Sequence, residues 1–179
     1  MKKIMISKGL VLAFIAMFMT SLIWAQDDKS KRPSPPATAT GKVMGATITI
    51  NYSSPGVKGR KIWGGLVPYD KVWRAGANEA TIFETDKDIK VEGKSLPAGK
   101  YSLYAIPGEK EWVIILNSKT GQWGVKNDES TTEEPANDAL RVTVKPEKSA
   151  TSNERLKYTV DKNGFALEWE NLKVPVSIK

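Results

Sequence analysis

From residue 42 onward the chain repeats one signature: short segments of alternating apolar and polar residues, separated by glycine, proline or Asn-Gly. Alternation with period two sends successive side chains to opposite faces of a strand, whereas an amphipathic helix needs apolar residues three and four apart. Ala46 to Tyr52 places Ile48, Ile50 and Tyr52 on one face and Thr47, Thr49 and Asn51 on the other. Further segments of this kind are Thr81–Thr85, Asp88–Glu92, Lys100–Ile106, Trp112–Asn117, Gly121–Val125, Leu140–Lys145, Leu156–Val160 and Phe165–Glu170, with Val174, Val176 and Ile178 alternating at the end. Val113 to Leu116 is continuously apolar, as expected of a strand covered on both faces, and it pairs naturally with Lys100–Ile106 as a central hairpin. Asn163-Gly164 marks a second hairpin, and Pro175 restricts the last strand to an edge or to a position where its missing N–H is harmless. Past the N-terminal leader no stretch sustains a helical period. The pattern predicts an all-β domain, an antiparallel two-sheet sandwich of about nine strands. An up-and-down barrel satisfies the same alternation.

The N-terminus reads differently. Lys2, Lys3 and Lys8 precede the apolar run Leu10–Trp24, and Ala25 offers a small residue before the polar Gln26-Asp27-Asp28. This is the layout of a secretory signal, too short in its apolar part for the roughly 20 residues of a spanning helix. Residues 1–25 are therefore expected to be a cleaved signal peptide, and the mature protein to be periplasmic or on the cell surface. With no cysteine after the apolar run, a lipid anchor is not expected. Residues 26–40, rich in Lys, Ser and Pro with nothing to bury, read as an extended linker, and 41–179 as one domain. The mature length of 179 − 25 = 154 residues is enough for a single hydrophobic core.

The chain has neither histidine nor cysteine. Ser-His-Asp and Cys-His catalysis, imidazole acid–base chemistry and His- or thiolate-ligated metals are thereby removed, and no disulfide staples an exported fold. No cofactor is expected. The acidic group Asp128, Glu129, Glu133 and Glu134 lacks the ordered spacing and glycine pivot of a calcium loop and reads as solvated. The basic run Lys58-Gly59-Arg60-Lys61 has no nucleic-acid motif beside it, so nucleic acid is not an expected partner.

Ser53–Ala80 is the segment that a simple sandwich does not require. It separates two strands by far more than a hairpin loop, yet it carries Ile62, Trp63, Leu66, Val67, Tyr69, Val72 and Trp73, which are costly to leave in water. It is expected to be an ordered excursion packed on the sheets, with a helical turn over Tyr69–Ala75. Its polar residues Arg74, Asn78 and Glu79, with Lys61 and Arg60 upstream, bring a guanidinium, an amide and a carboxylate close together, a set suited to a carboxylate, phosphate or sugar hydroxyl. An Arg74–Glu79 ion pair pinning the loop to the sheet is the structural alternative. Trp112 and Trp169 lie on strand patterns and read as core, while Trp63, Trp73 and Trp123 suit either core or a ligand-facing surface.

The runs ATITINYSSPGVKGRKIWGGLVPYDKVWRAGANEAT, LPAGKYSLYAIPGEKEWVIILN and LEWENLKVPVSIK resemble the bacterial family known as domain of unknown function 2911, across about Arg32 to Lys179. The stretch VPYDKVWRAGANEAT is the most specific part of the likeness. The resemblance implies an exported β-rich domain and brings no established activity or catalytic residue. The reading that follows is a non-enzymatic module binding a glycan or another envelope component, with Arg74, Asn78, Glu79 and Lys61 as polar anchors and Trp63 and Trp73 as flanking surfaces. Two other readings are a carboxylate-based polysaccharide hydrolase using Glu79 or Glu84, and an assembly protein of the envelope.

Overall fold

The computed structural model describes residues 28–179. The expected signal peptide and the start of the linker lie outside the described residues. The fold is nearly all-β, its sheets do not close into a barrel, and every strand ladder is antiparallel. One layer is a six-stranded sheet ordered β1 (Pro36–Val43), β2 (Ala46–Ser53), β3 (Thr81–Thr85), β6 (Gly99–Ile106), β7 (Trp112–Asn117) and β8 (Asp138–Val144). The opposing layer contains the long pair β9 (Glu147–Asp161) and β10 (Gly164–Ser177) and the small pair β4 (Ile89–Val91) and β5 (Lys94–Leu96). The end of β10 reaches β4 through a bridge between Val91 and Ile178, and the backbones of Lys90 and Lys179 exchange hydrogen bonds of 2.8 and 2.9 Å.

The core lies between the layers, filled by alternate residues as the period-two pattern requires. Ile48 and Ile50 of β2, Phe83 of β3, Leu103 of β6 and Ile114 and Leu116 of β7 meet Leu156 and Tyr158 of β9 and Phe165, Leu167 and Val176 of β10. A smaller cluster of Ala80, Tyr104 and Ile115 lies apart from this core, with Val72, Ile106 and Val113 packed against it. That second cluster explains the unbroken apolar run in β7: this strand is covered on both sides.

Several elements depart from the sequence expectations. Strand β1 starts at Pro36, so residues 36–40, read as linker, form most of an edge strand paired with β2 from Pro36↔Ser53 to Val43↔Ala46. Its inner residues are small because β9 runs close by: a Cβ on Gly41 would sit 2.9 Å from the Val160 side chain. Phe165–Glu170 and the alternating Val174 and Val176 belong to one strand, β10, whose register shifts around Glu170, where φ is 52°, while Ile178 lies just beyond its end. The turn between β9 and β10 is Lys162-Asn163, and Gly164 is the first residue of β10, paired with Asp161. Gly121–Val125 does not form a strand, contributing only isolated bridges of Trp123 to Glu79 and Val125 to Thr131. Tyr69–Ala75 contains no helical turn.

Candidate functional site

The excursion from Ser53 to Ala80 is ordered by three attachments. Its start lies along β9: Val57 N–H donates to Glu154 O at 2.7 Å, and Leu156 N–H donates to Pro55 O at 2.9 Å. Its middle turns tightly through residues 61–67, with Leu66 N–H bonded to Lys61 O and Val67 N–H to Ile62 O, and buries Ile62, Trp63 and Val67. Its end takes up the lane that β3 leaves open. The β3–β6 ladder stops at Thr81↔Leu103, and one repeat further on Trp73 and Ala105 exchange hydrogen bonds of 2.7 and 2.9 Å. A backbone pairing with an interior strand thus replaces the expected helical turn, and it fixes Trp73 on the sheet.

Trp63, Trp73, Trp112 and Trp169 form one aromatic cluster. Trp63 meets Trp112 at 4.9 Å, Trp169 at 5.8 Å and Trp73 at 5.9 Å, all edge-on, while Trp73 lies nearly parallel to Trp169 at 6.0 Å. Edge-to-face contacts set the positive ring edge against a negative ring face, the favoured arrangement. The buried indole N–H groups of Trp63, Trp112 and Trp169 have no hydrogen-bond acceptor. Trp63 is only 7% exposed and is therefore a core residue, not the flanking surface expected from sequence. Trp112 and Trp169 are core as expected. Trp123 is 48% exposed.

Next to the cluster lies a cleft of about 810 Å³, within the range typical of small-molecule sites. Trp73, Arg74, Trp169 and Val72 line it, together with Leu66, Pro68 and the loop Asp128–Thr131. Arg74 is held by its backbone neighbours. The Ala75 carbonyl accepts the Tyr158 hydroxyl at 2.8 Å and the Thr81 hydroxyl at 3.1 Å, which pins Ala75 in a left-handed conformation at φ 50°. Burial pushes the Tyr158 hydroxyl well above its usual pKa, so it remains the proton donor in this contact. On its other side Arg74 packs on the backbone of Gly124, where an added Cβ would lie 2.4 Å from Arg74 Cδ. The Gly124→Ala variant is accordingly expected to push the Arg74 side chain out of place and cost about 1–3 kcal/mol in stability, read by urea unfolding.

The remaining sequence candidates lie elsewhere. Glu79 does not pair with Arg74. It accepts from Lys29 Nζ at 2.8 Å and from Arg32 Nη1 at 3.1 Å, both from the segment that precedes β1. Asn78, left-handed at φ 58°, donates to Ser34 O at 2.9 Å and accepts Gly124 N–H on its own carbonyl at 3.0 Å. Together Asn78 and Glu79 clasp the N-terminal segment against the sheet. Lys61 is exposed in its turn and does not line the cleft. The acidic group disperses: Asp128 accepts from Ser130, Glu134 pairs with Lys119, and Glu133 and Asp138 share Arg141. No group of three acidic residues suited to a metal ion occurs among the described residues. Arg60, grouped with Arg74 from sequence, does line the cleft, whereas Lys71, Trp169 and the 128–131 loop are cleft residues that sequence spacing did not connect to Arg74, because the fold alone brings them together.

The Lys29 hydrogen bond, reinforced by Arg32, holds the Glu79 carboxyl at about 2 against an ordinary 4.5. The folded state therefore favours the ionised form. Its contribution is complete above pH 4.5 and is lost as the pH falls toward 2. Because the side chain is partly in solvent, the worth is about 1 kcal/mol. The Glu79→Gln variant should lose that amount at neutral pH and show a correspondingly flatter decline of stability between pH 4.5 and 2, measured by urea unfolding across that range. Equal pH profiles for parent and variant would show that the clasp contributes nothing.

Comparison with family models matches residues 34–178 to the family described as protein of unknown function (DUF2911). The chain belongs to this family. The match spans both layers of the sandwich and the whole excursion, so the cleft lies within the DUF2911 domain and not in an appendage to it. Comparison with curated proteins and with solved structures gives no match. No helix among the described residues is long and apolar enough to cross a membrane.

Proposed function

We propose that this DUF2911 chain is an exported, non-enzymatic binding module of the cell envelope, and that its ligand, a glycan or another envelope component, enters the cleft of Trp73 and Arg74. Export rests on the N-terminal charge and hydropathy pattern. The observation that carries the binding reading is the state of Arg74. It is half-buried, burial lowers its pKa, and it has no carboxylate partner among the described residues. A partly desolvated guanidinium without a counter-charge is costly in a structural role and useful in recognition.

The hydrolase reading finds less support. A glycosidase acid needs a raised pKa, but Glu79 is held near 2 inside its clasp, and Glu84 pairs with Lys100 at 3.2 Å on a partly exposed side chain. The test is tryptophan fluorescence of the purified protein, titrated with envelope glycans and short peptides. A saturable shift that disappears in Arg74→Ala, with an unchanged circular dichroism spectrum, supports the module. A shift that persists in Arg74→Ala removes the cleft from consideration, and no shift with any ligand moves the weight to an assembly role.

A further inference from the structure

Building on the reading of the cleft as a ligand site, we infer that its ligand is an amphipathic oxyanion: one carboxylate or phosphate head on Arg74, with an apolar body against Trp73 and Leu66. The five arginines among the described residues are not equivalent. Arg32 and Arg141 engage carboxylates, while Arg60 and Arg155 direct a terminal nitrogen at backbone carbonyls. Arg74 alone has both terminal nitrogens without an acceptor; its one contact is a long 3.4 Å bond from Nε to Gly76 O. The end of the guanidinium fork is thus available, in the geometry that takes two coplanar oxygens.

Three further features narrow the class. Lys71 adds a cation with no acidic partner among the described residues, whereas Leu66, Pro68, Val72 and Trp73 offer an apolar surface for a ring or short chain. The lining also carries Asp128 and Glu129, which repel extended polyanions. The site therefore suits a ligand with one anionic head and disfavours a chain of them.

Calorimetric titration of the purified protein with a matched series tests this: 3-phenylpropanoate and phenyl phosphate as anionic probes, neutral 3-phenylpropanamide, and acetate without the ring. The anionic aryl probes are expected to bind at least about tenfold more tightly than the amide, and acetate to bind more weakly than 3-phenylpropanoate. Preference between the carboxylate and phosphate probes assigns the head group. Arg74→Ala should bring the anionic probes down to the level of the amide, and Arg74→Lys should retain part of the difference. Because the wild-type probe series needs no variant, the inference stays falsifiable should Arg74→Ala fail to fold. If the amide binds as tightly as the carboxylate and Trp73→Leu weakens both, the oxyanion inference is overturned while the cleft remains a ligand site. If no aryl probe binds, or if binding is indifferent to both Trp73→Leu and Arg74→Ala, the cleft reading falls with it.

Discussion

The Gly164→Ala variant is expected to lose about 2–5 kcal/mol of stability, the sum of backbone strain and overpacking at one position. Gly164 opens β10 at φ 147°, a conformation that side chains disfavour. β10 also bends back on itself there: Ile178 N–H donates to Asn163 O at 2.8 Å, which draws the end of the strand over its beginning. A Cβ on Gly164 would lie 2.0 Å from Val176 O and 2.9 Å from Ile178 N. The methyl group cannot be accommodated by a rotamer change, since both obstacles are backbone. The only relief is to part the end of β10 from its start, which also disturbs the pairing of Ile178 with Val91. Urea denaturation of the two proteins measures the loss directly. A variant within about 0.5 kcal/mol of the parent would mean that this backbone crossing does not contribute to the fold as described.

Trp63→Ala is the second large effect, expected at about 3–5 kcal/mol. The indole is the hub of the aromatic cluster, in edge contact with Trp73, Trp112 and Trp169, and its removal takes a partner from all three. For a domain of this size the loss corresponds to a fall in Tm of about 10 °C, readable by circular dichroism melting. The variant also separates the two roles that sequence left open for this residue. A core tryptophan lowers Tm whether or not ligand is present. Unchanged Tm together with lost ligand binding would return Trp63 to the ligand-facing surface.

How much of this was legible in the sequence follows from where apolar side chains were dense. β2 and β3 follow the alternation of apolar residues and β7 the continuous apolar run, and Thr81–Thr85 and Trp112–Asn117 coincide with the expected limits. β1 was not legible, because its pattern is carried by alanine, threonine and glycine, small residues selected by the close approach of β9. The first half of β9 has no apolar alternation, since residues 147–152 are largely exposed; β10 gives it strand geometry through long-range pairing. Register and partner are tertiary facts, which a local pattern does not encode.

The candidate site was half legible for a similar reason. The length and apolar content of the excursion pointed to an ordered segment, and Trp73 and Arg74 do line the cleft. Arg74 and Glu79, five positions apart, invited a pairing that does not form. The left-handed turns at Ala75 and Asn78 send the two residues to different neighbours, and the carboxylate finds Lys29 and Arg32 from a segment that reads as solvated. The consequence is an arginine without a counter-charge, which only the folded chain reveals.

The most direct test of the central claim, that the Trp73–Arg74 cleft is the ligand site, is a titration of protein carrying nitrogen-15 tryptophan with 3-phenylpropanoate, followed by the indole signals. Trp73 and Trp169 line the cleft and Trp123 does not, so the first two signals should move in a saturable way while that of Trp123 stays in place. The same titration of Arg74→Ala should need at least about tenfold more ligand for the same movement. Movement of Trp123 alone, or of Trp73 and Trp169 to the same extent in Arg74→Ala, would contradict the account.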